Sequence, residues 1–141
     1  IYNMQTKVAK IFFNKIKKNN NSYILKLINN KSLNFQEFGE LYISSVNYKE
    51  IRGWKYHKKM ISNIFILSGK FKFVFFIEDK NYFKEIRIDE KENNNLYIPP
   101  KVWFAFQGLS NGMNSLLNLS NIIHSDDEVI NKDINTLSYE W

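Results

Sequence analysis

The densest run of chemically capable side chains in this sequence is Arg52-Gly53-Trp54-Lys55-Tyr56-His57-Lys58-Lys59. Side chains two apart on an extended strand share a face. A strand here presents Lys55, His57 and Lys59 together, with Trp54, Tyr56 and Lys58 opposite. A cation beside a titratable imidazole suits an anionic ligand, and imidazole can serve as base or proton shuttle near neutral pH. Arg52 carries the planar fork that grips phosphate with two bonds at once. Lys55 could act as a base only with a pKa depressed by burial or neighbouring cations. The same residues also fit a solvated edge strand, because lysines protect sheet edges from pairing.

Other chemistries are poorly represented. The chain has no Cys, which excludes a disulfide framework and thiolate catalysis. Its only histidines, His57 and His124, are far apart in sequence. No Gly-rich phosphate loop and no clustered metal-ligand spacing is present. The expectation is a site without metal or cofactor. A net charge of +6 permits nucleic acid, anionic lipid or phosphorylated small molecules and selects none of them. No apolar run approaches the length of a membrane helix, and no signal-peptide pattern is visible. A cytoplasmic protein is the expectation.

The elements that must hold these residues read as short strands. They are expected at 41–46, 51–57, 61–67, 70–77, 82–88, 96–98, 102–107 and 115–119, with a further strand at 23–28. Asn, Asp, Gly and Pro turns separate them, among them Ser68-Gly69, Asp79-Lys80-Asn81 and Pro99-Pro100. Many short strands at regular spacing suggest a sandwich, jelly roll or barrel, and the 141 residues read as one domain. Phe71, Phe73 and Phe75 alternate as a core face. Residues 2–18 fit either a basic amphipathic helix or a strand at 8–13. Ser125-Asp126-Asp127-Glu128 resembles an N-cap with acids in a first helical turn, running to about Lys132. The outward Trp54 and Tyr56 predict a covering partner, hence a dimer.

Several segments resemble the dTDP-4-dehydrorhamnose 3,5-epimerase family, in particular its short W-x-x-H-K-K branch. They are F-G-E-L-Y-I-S at 38–44, I-R-G-W-K-Y-H-K-K-M-I-S-N at 51–63, S-G-K-F-K-F-V at 68–74, Y-I-P-P-K-V-W-F-A-F-Q-G-L at 97–109, I-I-H-S-D-D-E-V at 122–129 and the terminal S-Y-E-W. The resemblance implies an all-β cupin jelly roll, a homodimer, and a dTDP-linked 4-keto-6-deoxy sugar as substrate in surface-polysaccharide or related pathways. The chemistry it implies is proton removal beside a ketone and return to the opposite face. It also implies departures. Lys55 stands where the family has its catalytic His, and Phe104 where it has a second His. The family's acid Tyr falls near Leu117 or Asn118, and the Arg of an early turn falls among Asn19 to Asn21. On this reading His57 is the base or shuttle, Lys55 the enolate stabiliser and Arg52 a diphosphate contact, with Tyr42, Ser44 and Lys59 touching substrate. Two other functions fit the residues: a catalytically silent cupin that binds a nucleotide sugar or supports a partner enzyme, and a basic β-barrel for nucleic acid. The last is disfavoured by aromatics that alternate as a core.

Overall fold

The structure is a computed structural model that describes residues 9–13, 15–19 and 22–141. Among them the strands are β1 (Lys10–Phe13), β2 (Lys15–Asn19), β3 (Ser22–Lys26), β4 (Glu40–Asn47), β5 (Ile51–His57), β6 (Ser62–Ser68), β7 (Lys70–Ile77), β8 (Tyr82–Asp89), β9 (Asn94–Ile98), β10 (Trp103–Gly108), β11 (Met113–Ser120) and β12 (Val129–Asn131). One five-stranded sheet has the order β1-β9-β6-β11-β4, a second has β12-β5-β10-β7-β8, and β2 and β3 form a hairpin. The strand pairings are antiparallel. The expected all-β jelly roll is therefore what the chain forms. No described helix is long and apolar enough to cross a membrane.

The core lies between the two sheets. Period-2 alternation on β7 sends Phe71, Phe73 and Phe75 inward, where all three are buried. Phe73 meets Phe106 of β10 at 5.3 Å between ring centroids, and Leu96, Ile98 and Leu116 close the opposite wall. Burying each such side chain contributes about 1.5–3 kcal/mol. In the N-terminal stretch, residues 1–8 lie outside the described residues. From Lys10 the strand alternative holds, because this segment pairs with β9 and packs Ile11 against the core. Asn20 and Asn21, with the early-turn position assigned there, also lie outside the described residues.

The second sheet is apolar on its outer face too. Trp54, Val74, Trp103 and Ala105 form a cluster there, covered by Ile134, Leu137, Tyr139 and Trp141. Trp54 is 0% exposed. Its backbone exchanges two hydrogen bonds with Lys132, each 3.1 Å, and its indole Nε1–H donates to the Ile134 carbonyl at 3.1 Å. Trp54 and Tyr56 do lie on this outer face, as expected, but the cover that Trp54 was expected to need from a second subunit comes from the C-terminal segment of the same chain. Tyr56 packs on Trp103, 5.2 Å between centroids.

The C-terminal segment reaches that face through a turn and a strand. Glu128 N–H donates to the Ser125 carbonyl at 3.0 Å, so Ser125 does close a turn. The chain then extends into β12 against β5 rather than winding on to Lys132. Pairing to the free edge of β5 outweighs a weak local helical signal. Gly53 serves packing at this place, because a Cβ there would collide with Ala105 of β10, where the β5–β10 register shifts. Its φ of +137° also disfavours other residues.

Candidate active site

Between the sheets, β4, β5, β6, β10 and β11 leave an open cavity of about 290 Å³. Alternation on β5 sends Lys55 and His57 into it, with Arg52 also on its wall. Tyr42 and Ser44 enter from β4 by the same period. The structure thus brings together Arg52, Lys55, His57, Tyr42 and Ser44. Lys59 is not with them. The strand β5 ends at His57, so two-residue alternation stops there, and the Lys59 side chain is exposed. What Lys59 supplies to the site is its backbone N–H.

That N–H points at a residue the sequence reading placed elsewhere. Glu128, 8% exposed, accepts from the Lys59 and Met60 N–H groups through Oε1, 2.8 Å each, and meets His57 Nδ1 through Oε2 at 2.7 Å. Burial works to raise the Glu128 pKa, but the Lys59 N–H, the His57 bond and the Met60 N–H outweigh it and leave the carboxyl below its ordinary value. A carboxylate therefore sits behind the imidazole and fixes its orientation. One signal pointed here: a buried face carrying Lys and His calls for a compensating acid. The acid is 71 residues away in sequence, inside a segment that reads locally as a helical turn.

The rest of the wall is mixed. Phe104 stacks near His57, 6.0 Å between centroids and 27° between planes. Asn118 Nδ2–H donates to the Tyr42 hydroxyl at 2.8 Å, while Asn118 Oδ1 is buried without a partner. Burial pushes the Tyr42 phenol up, Asn118 works against this, and the Glu40 charge adds to it. At the Leu117–Asn118 position the chain therefore has an amide that holds a tyrosine of the neighbouring strand. Glu40 and His124 complete the rim, the His124 N–H donating to Glu40 Oε2 at 3.3 Å. Burial first, and the like charge of Arg52 second, hold Lys55 below the ordinary lysine pKa. Among the described residues no group of three or more His, Cys, Asp or Glu is placed to hold a metal ion.

The two antiparallel sheets around an open cavity form a cupin-like jelly roll, a fold that this chain shares with sugar isomerases and epimerases of known structure. The backbone is similar to that of a dTDP sugar isomerase from Desulfovibrio desulfuricans G20, with a TM-score of 0.85 and 21% identity over 94% of this chain and 90% of that one. It is also similar to QdtA, a sugar 3,4-ketoisomerase from Thermoanaerobacterium thermosaccharolyticum solved with TDP (TM-score 0.76, 21% identity, 90% and 89% covered). A dTDP-4-dehydrorhamnose 3,5-epimerase from Elizabethkingia anophelis gives a TM-score of 0.79 at 17% identity, with 96% and 81% covered. A comparison with curated proteins found no match. The family model described as FdtA, WxcM-like, C-terminal matches residues 5–139, and the chain belongs to that family.

Proposed function

We propose that this protein binds a dTDP-linked 4-keto-6-deoxy sugar and moves a proton on the carbon beside its ketone, as an epimerase or ketoisomerase. The observation that carries the reading is the His57–Glu128 pair, 2.7 Å apart, on the wall of a cavity that also holds Lys55 and Arg52. Glu128 accepts the Nδ1 proton of neutral His57, which leaves the Nε2 lone pair to take a proton from carbon. The same carboxylate then stabilises the imidazolium. Lys55 and the Tyr42 hydroxyl face the oxygen on which charge develops, and such fixed donors are the largest source of enolate stabilisation. Arg52 takes the diphosphate, and Ser44 a sugar hydroxyl. No metal or cofactor has a part in this chemistry. The ligands of similar structures support the substrate class. A ketoisomerase variant was solved with TDP-4-keto-6-deoxyglucose, and a 3'-monoepimerase with dTDP-quinovose.

The reading includes a cytoplasmic, single-domain protein that works as a homodimer. With Trp54 covered from within, the case for a dimer moves to the other sheet, where Leu41, Ile43 and Leu67 are exposed. Sedimentation as a monomer at high micromolar concentration would remove it. The functional test is calorimetry with dTDP beside deuterium uptake from solvent into dTDP-4-keto-6-deoxyglucose. Binding with uptake is the expected result. Binding without uptake would leave a catalytically silent cupin, and absence of both would sink the reading.

A further inference from the structure

We infer that Lys55 engages the ketone covalently: its Nζ adds to the carbonyl carbon and forms an iminium, so the cavity acts on keto sugars through a Schiff base. The inference rests on the proposed function and names the electrophile within it. Among the described residues the Lys55 amine forms no hydrogen bond and no ion pair, although the side chain lines the cavity. The acids nearby are otherwise engaged. Glu128 accepts from His57, Lys59 and Met60, and Glu40 accepts from the His124 N–H. Burial first, and the like charge of Arg52 second, lower the Lys55 pKa, which is the direction that attack by an amine requires. The titratable and charged groups that line the same cavity are Arg52, His57, Tyr42, Glu40 and His124.

The step balances without an oxidant or reductant. Nζ bonds to the carbonyl carbon, the carbonyl oxygen takes up protons and leaves as water, and the protonated imine remains. The Tyr42 hydroxyl accepts from Asn118, so its own hydrogen is free to protonate the departing oxygen. The iminium acidifies the neighbouring C–H more than a hydrogen-bonded ketone does. His57, one pleat along on the same face, removes that proton to give an enamine, and water admitted by the open cavity returns a proton to the opposite face of the carbon. Water then hydrolyses the C=N bond. A carbon held by nitrogen comes back as a ketone at the same place. The covalent route therefore inverts the neighbouring carbon and does not move the ketone.

The test is trapping with cyanoborohydride in the presence of dTDP-4-keto-6-deoxyglucose, followed by intact and peptide mass analysis. The expected adduct adds the sugar nucleotide less one oxygen atom, maps to Lys55, and is absent from Lys55→Arg, which keeps the charge but cannot form it. An adduct that persists in Lys55→Arg overturns the inference. So does a wild-type protein that takes up deuterium without an adduct, which leaves the proposed function standing. Deuterium uptake in Lys55→Arg equal to wild type also overturns it. If neither dTDP binding nor deuterium uptake is found, both readings fall.

Discussion

Replacing Glu128 by Gln probes the site at its least replaceable contact. The side chain keeps its shape, and its amide oxygen can still accept from the Lys59 and Met60 N–H groups, now at 2.8 Å each. Its NH₂ must then face His57 Nδ1, where the carboxylate sits at 2.7 Å. An N–H donor there forces the imidazole to keep its hydrogen on Nε2, so the lone pair faces the wrong way. A general base positioned in this manner contributes about 10²–10⁴-fold, and most of that factor is expected to be lost. Stability should fall as well, since hydrogen bonds to a charged group contribute about 1.5–3 kcal/mol against about 1 for neutral ones. The pH dependence has a definite sign. The folded-state pKa of Glu128 is depressed, so its contribution is complete above the ordinary carboxylate value and is lost as pH falls through the lower folded value. Glu128→Gln should flatten that acid limb. The assays are deuterium uptake into the keto sugar and urea unfolding across the acid range. Uptake within tenfold of wild type, or an unchanged acid limb, would refute the reasoning.

Arg52→Ala should weaken dTDP binding about tenfold, the equivalent of about 1.4 kcal/mol, by calorimetry; unchanged affinity would place the diphosphate elsewhere. Trp54→Ala should cost about 3–5 kcal/mol in urea unfolding and loosen residues 132–141 to hydrogen exchange, because it empties the cluster that the C-terminal segment covers. A loss under 1 kcal/mol would mean that the segment is not docked there. Gly53→Ala should destabilise by at least about 1–3 kcal/mol, from its positive φ and the collision with Ala105.

The strands were legible because alternation and turn chemistry are local. β5 and β7 fall at the bounds that the sequence predicts, 51–57 and 70–77. Convergence of Lys55 and His57 followed from the same period. What was not legible depends on contacts across the fold. Lys59 was placed on the ligand face by extending the strand past its end. Glu128 was hidden because S-D-D-E carries a helix-start pattern, whereas edge pairing and buried N–H donors decide its fate. Trp54 reads as exposed until the C-terminal segment is seen to return over it.

The most direct test of the account is proton NMR of dTDP-4-keto-6-deoxyglucose in D₂O with wild-type protein and with His57→Asn. An Asn at this position can still donate to Glu128, so the variant removes the base and keeps the carboxylate partnered. The account predicts loss of the proton signal beside the ketone with wild type, no loss above the protein-free rate with His57→Asn, and dTDP affinity alike in both. Equal exchange by the two proteins, or none by wild type that binds the sugar, would contradict it.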